Sequence, residues 1–298
     1  MPEIPDIEAY IEALNMRVLG EELRGIRIAN PFLVRTVDPM PSAAVGRRVM
    51  GIDRLGKRIV FELEDGSDDA GSVFMIIHLM IAGRLHWKAP GAAIPKGAGL
   101  AAFDFPSGSL VLTEAGSKRR ASLRFVVGRK ALRELDPGGL ELLGSTVEQF
   151  AEVLGRENHT LKRALTDPHS FSGVGNAYSD EILHRACLSP LKKTNDLKSE
   201  EVVALHSAAV AVLTEWVERL TAGAREKFPE KVTAFRPEMA VHGRYGAPCP
   251  VCGAQVERIR YAENECNYCP VCQTGGRVLA DRALSRLLKD DWPLSRPK

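Results

Sequence analysis

The sequence predicts an α+β protein: an N-terminal antiparallel β-sandwich with a flanking helix, then a helical part that closes on a cysteine hairpin. Three observations predict it. Ile7, Ile11, Leu14 and Val18 form one stripe at helical spacing. Residues 21–125 then break into short apolar runs separated by turn-rich segments, the pattern of antiparallel strands. Beyond residue 139 the apolar spacing returns to a helical period, and five of the six cysteines crowd into the 24 residues 249–272.

Taken in order, residues 5–19 read as the flanking helix. Strands are expected at 58–63, 73–79, 83–87, 101–105 and 110–113, with hairpin-like turns at 64–69 and at Pro106-Ser107-Gly108-Ser109. Leu135-Asp136-Pro137-Gly138-Gly139 reads as a linker. A helix over 145–154 opens on Ser145-Thr146-Val147-Glu148, a capping signature in which Ser145 and Glu148 would satisfy each other's backbone. Helices are expected at 176–185 and 199–222, a loop at 224–240, the cysteine hairpin at 241–274 and a last helix at 280–289 before a Pro-containing tail. There is no internal repeat.

Composition sets the limits on function. A chain of 298 residues has room for about two domains. With 45% hydrophobic and 26% charged residues it has the makings of packed cores, which excludes a disordered chain. No apolar run approaches the roughly 20 residues that span a bilayer. The opening Met-Pro-Glu-Ile-Pro-Asp-Ile-Glu has neither the basic nor the apolar region of a signal peptide. A soluble cytoplasmic protein with no membrane partner is expected. The net charge of +2 is too mild to announce nucleic acid by itself, so any basic footprint must be local.

The cysteines carry the strongest local signal. Cys249-Pro-Val-Cys252 and Cys269-Pro-Val-Cys272 are two knuckles separated by 16 residues. Four thiolates so arranged fit one tetrahedral Zn2+ in a closed, structural site. The intervening hairpin is too small to support a core, so the metal would supply much of its folding energy. Cys266 belongs to neither knuckle and reads as a spare thiol; Cys187 stands alone.

Read together, the motifs resemble the formamidopyrimidine-DNA glycosylase/endonuclease VIII family. Those that carry the resemblance are Pro2-Glu3-Ile4-Pro5-Asp6, Gly56-Lys57, Ile76-Ile77-His78-Leu79, Gly173-Val174-Gly175-Asn176-Ala177-Tyr178-Ser179-Asp180-Glu181 and the two knuckles. They span residues 2–274 in family order. The resemblance implies a catalytic β-sandwich domain at 1–134 and a helix-two-turn-helix DNA-binding domain at 135–240. A zinc finger at 241–274 and a C-terminal helix and tail at 275–298 complete it. It implies a monomer acting on damaged double-stranded DNA in a bacterial cytoplasm or nucleoid.

The chemistry expected of these residues follows. Once Met1 is removed, Pro2 carries a free secondary amine, and an α-amino group with a pKa of about 8 is partly neutral near pH 7. Attack on the sugar C1′ would give an iminium, an electron sink that acidifies the C2′ protons and drives β,δ-elimination. By resemblance Glu3 is the general acid/base that protonates the sugar ring oxygen. Lys57 contacts the phosphate flanking the lesion, and His78 another phosphate. Residues 115–133 hold seven basic side chains and no acidic one, and Arg119 and Arg120 fall where the family inserts an arginine opposite the flipped base. Gly173 and Gly175 let backbone approach a ligand. Asn176 is expected to cap the following helix and to clamp the DNA backbone.

The sequence also departs from the family pattern. Asp6 replaces a glutamate. Ile81 stands on the position of a methionine wedge, with Met80 one place early. Lys118-Arg119-Arg120-Ala121 lacks the aromatic plug, and Asn264, between Glu263 and Glu265, replaces the finger's phosphate-gripping arginine. The expected function is therefore a bifunctional DNA glycosylase/AP lyase of base excision repair, removing oxidised bases of the formamidopyrimidine/8-oxoguanine type. The alternatives are an endonuclease VIII-like preference for oxidised pyrimidines, or a non-catalytic damaged-DNA-binding protein of the same fold.

Overall fold

A computed structural model describes residues 1–64, 71–116, 118–261 and 264–279. It divides into two compact units: residues 1–137 with 215–233, and 138–214 with 234–298. The first boundary falls inside the expected linker. The grouping differs from the sequence-based domains in that 215–233 joins the N-terminal unit and the cysteine hairpin joins the helices. The expected turn at 64–69 and helix at 280–289 lie almost wholly outside the described residues.

In the N-terminal unit, α1 (Ile4–Val18) begins with Pro5 in its first turn, where a missing N–H costs nothing. It buries Ile7, Tyr10, Ile11, Leu14 and Val18. The strands β1 (Gly25–Ile28), β2 (Val49–Leu55), β3 (Arg58–Leu63), β4 (Val73–His78), β5 (Gly83–Lys88), β6 (Gly99–Asp104), β7 (Ser109–Glu114) and β8 (Ser122–Val127) form two antiparallel sheets. Their orders are β1-β6-β7-β5 and β2-β3-β4-β8. Alternation decides which side chains face inward: Ile59, Phe61 and Leu63, then Val73, Met75 and Ile77, then Leu123 and Phe125 all enter the main core with α1 and with Ala101, Phe103, Leu110 and Leu112 of the other sheet. Each such side chain, once buried, stabilises the fold by about 1.5–3 kcal/mol. Residues 215–233 close this core with Ala224, Phe228 and Val232. The outer face of β3 and β4 is covered as well, since Val60, Phe74 and Ile76 pack under Leu132 and Leu135 around the short helix α2 (Gly128–Arg133).

Register gathers the loops that matter. Arg58 pairs with His78 and His78 with Ser122, while Gly83 pairs with Glu114. The β2–β3 turn at Lys57, the β4–β5 connection 79–82 and the segment leading into β8 are thereby brought to the strand ends that share these pairs. Lys57 lies in the turn itself, after Gly56 at φ +61° and just ahead of β3.

The C-terminal unit contains α3 (Val147–Gly155), α4 (Leu161–Thr166), α5 (Asn176–Arg185) and the start of α6 (Ser199–Glu226). The hairpin β9 (Glu257–Arg260)–β10 (Glu265–Tyr268) and the short α7 (Pro270–Thr274) follow. The capping box of α3 is Thr146 with Gln149, one residue later than the expected Ser145–Glu148 pair. The hydroxyl of Ser145 instead donates to Leu142 O and meets His206. α6 runs to Glu226, four residues beyond its expected end, because Ala224 still has a core to enter. No helix among the described residues is long and apolar enough to cross a membrane.

Candidate active site and metal centre

The N-terminal site is assembled at the start of α1. Pro2 and Glu3 are buried. Glu3 is the N-cap residue, and its backbone N–H donates to Asp6 Oδ2 at 3.0 Å. Asp6 thus closes the first turn and holds Glu3 at the helix end. With Met1 in place the terminal amine is that of Met1, and it is held below its ordinary pKa, chiefly by burial. Arg84 and Lys57 push it further down, while Glu3 and Asp6 oppose them. A neutral amine is a nucleophile and an ammonium is not, so this environment favours the reactive form.

The Lys57 turn is tied to α1 through Arg54, whose Nε donates to Glu8 Oε1 at 2.8 Å while its guanidinium also reaches Gly56 O at 3.0 Å. His78, half-buried at the end of β4, accepts the Met80 N–H on Nδ1 at 2.9 Å, which leaves its proton on Nε2. Burial, then the nearby Arg58 and Lys57, depress its pKa to about 4. At neutral pH His78 is therefore an uncharged donor. The same bond holds Met80 in the left-handed region at φ +51°, an unusual conformation for a side chain with a Cβ. The tight turn that follows needs Gly83, where a Cβ would stand 2.2 Å from Leu79 O. Ile81 is left at the tip with 56% of its surface exposed. Arg84 braces this turn by donating to Ile81 O and Gly83 O.

Arg119 and Arg120 are exposed. Arg119 donates to Gly97 O, and the loop that carries both is pinned by buried Glu114, which accepts the backbone N–H groups of Arg120 and Ala121. All seven basic side chains of the run are exposed, and Arg129 pairs with Glu62 at 2.6 Å. Sequence reasoning missed Arg54, Arg84 and Glu114. Glu114 had a visible signal, since it directly precedes the stretch without acids.

In the C-terminal unit, Gly173 takes φ +72° and Gly175, not Asn176, is the N-cap of α5. The predicted cap is thus corrected: Asn176 is the first helical residue, and its Nδ2 donates across to Glu265 O at 2.8 Å. Cys249, Cys252, Cys269 and Cys272 come together with their sulfurs within 4.8 Å of one another and can hold a metal ion. A tetrahedral ion with metal–sulfur distances near 2.3 Å requires sulfurs about 3.8 Å apart. Cys249–Cys272 at 3.9 Å and Cys252–Cys269 at 3.4 Å fit that donor set. His184 Nε2 lies 3.3 Å from Cys249 Sγ. Cys266 is buried away from the cluster beside Ile259 and Tyr268, and burial raises its thiol pKa well above the ordinary value.

Residues 1–137 match the formamidopyrimidine-DNA glycosylase N-terminal domain and residues 142–227 the formamidopyrimidine-DNA glycosylase H2TH domain. A formamidopyrimidine-DNA glycosylase of Thermus thermophilus is 34% identical over 289 residues, covering 93% of this chain and all of the relative. An uncharacterized formamidopyrimidine-DNA glycosylase-like protein of Mycobacterium tuberculosis is 40% identical over 165 residues, 55% of this chain and all of the relative. Among solved structures, a Lactococcus lactis Fpg mutant in complex with Fapy-dG-containing DNA superposes with a TM-score of 0.79 at 24% identity, covering 92% of this chain and all of that one. The same enzyme with abasic-site DNA gives 0.78 at 23% identity, covering 91% and 99%.

Proposed function

The chain belongs to the formamidopyrimidine-DNA glycosylase family of DNA repair enzymes, and on that premise we propose that it is a bifunctional glycosylase and abasic-site lyase with formamidopyrimidine and 8-oxoguanine as its favoured lesions. One observation carries the reading: buried Pro2 directly precedes buried Glu3 at the start of α1, where Asp6 closes the first turn. Removal of Met1 by hydrolysis of the Met1–Pro2 amide frees the secondary amine of Pro2, a buried residue.

The reaction then runs through this chain's own groups. Pro2 N donates its lone pair to C1′ of a nucleotide flipped from the duplex, and the base departs with the electrons of the glycosidic bond and takes up the proton that the nitrogen loses. Glu3 delivers a proton to the sugar ring oxygen. The ring opens, and the positive charge rests on the tertiary iminium, which has no N–H to lose. Loss of a C2′ proton feeds electrons into that iminium and expels the 3′-phosphate; a second elimination expels the 5′-phosphate. Water finally hydrolyses the iminium and frees the amine. Lys57 and the neutral Nε2–H of His78 hold the flanking phosphates. Arg119, Arg120 and Asn176 bind the duplex backbone, and Ile81, with Met80 beneath it, fills the gap left by the flipped base. The cysteine cluster holds one structural zinc, which supplies folding energy and no chemical step.

Borohydride in the presence of abasic-site DNA tests this reading. A stable protein–DNA adduct is the expected result. Its absence on abasic DNA and on a panel of oxidised lesions would favour a damage-binding protein without turnover, and a panel in which only oxidised pyrimidines react would move the specificity to the endonuclease VIII type.

A further inference from the structure

Helix α5 meets the cysteine hairpin along one face. Residues four apart on a helix lie above one another, and Asn176, Asp180 and His184 all turn to the hairpin: to Glu265 O, to Asn267 N and to Cys249 Sγ. The middle contact is the unusual one. Asp180 is fully buried, and a buried carboxylate is costly unless every oxygen is partnered. Its Oδ1 accepts Lys162 Nζ at 2.6 Å. Its Oδ2 accepts His242 Nδ1 at 2.7 Å and the Asn267 N–H at 3.1 Å. Burial alone would raise its pKa, but Lys162 and His242 outweigh burial and hold it below the ordinary value.

The partners of Asp180 lead to Asn176 from two sides. Lys162 Nζ, besides meeting Asp180, donates to Asn176 O at 2.6 Å and to Ser179 Oγ at 2.8 Å. Asn267 is two residues from Glu265 on β10, and Glu265 O holds Asn176 Nδ2. An amide nitrogen has two hydrogens, so the bond to Glu265 uses one and fixes the direction of the other. Neighbouring Glu181 does a different job: it accepts the N–H groups of Ala240, Val241 and His242 and anchors the chain that enters the hairpin.

We propose that Asp180 is a positioning residue for DNA binding: one buried carboxylate, compensated by Lys162, sets both the helix start and the β10 strand that aim Asn176 at a phosphate. This rests on the reading of Asn176 as a DNA contact. Asp180 itself does not touch DNA, so its effect passes through Asn176.

The test uses the full chain and a duplex bearing a stable abasic-site analogue. Asp180→Asn should weaken binding by about tenfold, the size expected for hydrogen bonds to a charged group, with the metal content unchanged; on a cleavable abasic-site duplex the loss should fall in KM rather than kcat. Combined with Asn176→Ala it should add nothing, because both act on one contact. Wild-type affinity in D180N with N176A weakened, or effects that add, would overturn the role of Asp180 alone. An unaffected N176A would overturn the reading of Asn176 and the inference with it. If D180N loses its metal or its fold, Lys162→Met/Asp180→Asn removes both buried charges together. The same affinity loss is then expected, and wild-type affinity would again refute the proposal.

Discussion

The start of α1 and the cysteine hairpin both hold charged groups still, and they do it by opposite means. Glu3 and Asp6 sit on a helix whose apolar face enters a large core shared by two sheets. The hairpin has two small apolar clusters: Val241, Cys249, Val256 and Cys269, two of which are also cysteines of the metal-binding set, and Ile259, Cys266, Tyr268 and Leu279. These clusters are small, and much of what fixes the hairpin is polar: the sulfur cluster and the bonds from Asn176, Asp180, Glu181 and His184. A site built on a packed core holds its geometry when one polar partner is lost. A site built from hydrogen bonds and a metal does not. Damage to the two regions should therefore separate cleanly, chemistry from the first and affinity from the second.

The largest effect that would break this separation is at Glu3. Glu3→Gln should keep the fold and the DNA affinity and lower base excision by about 10²–10⁴-fold, the usual contribution of a general acid. Cleavage at a pre-formed abasic site should suffer much less, because no glycosidic bond remains to be broken. Equal losses in both assays would remove Glu3 from the acid role. Metal removal is next. Chelation, or Cys269→Ser, should release one zinc per chain and weaken DNA binding through loss of the hairpin's fold, while circular dichroism still reports the sheets. Replacement of Cys266 should release no metal. A Cys269→Ser variant with full metal content would refute the ligand set.

Smaller still is Lys57→Ala. It should weaken binding across all sequences and reduce the slope of log K against log salt by about 0.9, the loss of one phosphate contact; a change in base preference at unchanged affinity would contradict that role. The smallest effect is at His78, neutral in the fold down to about pH 4. An unfolded histidine, with a pKa near 6.5, binds a proton that the folded one refuses between those values. Stability should therefore rise with pH from 4 to 6.5 and level off above. His78→Gln should flatten part of that rise in urea midpoints; an unchanged profile would mean that His78 is not held neutral.

How much of this was legible in the sequence follows the same division. β3 was bounded correctly, and β4–β7 to within two residues at either end, because their inward side chains are strongly apolar and their turns are marked by Gly, Ser and Pro. β8 and α2 were hidden: Leu123 and Phe125 suffice to bury β8, but they lie in a run whose basic residues dominate its composition. Short helices such as α4 leave too few turns for a period to show. The Ser145–Glu148 box failed by one residue because Thr146 and Gln149 offer the same chemistry in the next register. Of the site, the cysteine spacing and Pro2-Glu3 were readable because ligand geometry and terminal chemistry are local. Arg54 and Asp180 were not, since each acts through a partner far along the chain; Arg84 and Glu114 act on nearby backbone groups, which side-chain patterning does not mark. Asn176 shows the limit most clearly: its residue type suits a helix cap, yet its side chain spans to Glu265, 89 residues away.

The measurement that tests the central claim most directly is the site of covalent attachment. The protein is incubated with abasic-site DNA, reduced with borohydride, digested and mapped by mass spectrometry. The proposed mechanism predicts a mature chain beginning at Pro2 and an adduct on residue 2, formed through the terminal nitrogen. An adduct on Lys57, or full activity from a chain that retains Met1 and so has no amine at Pro2, would contradict it.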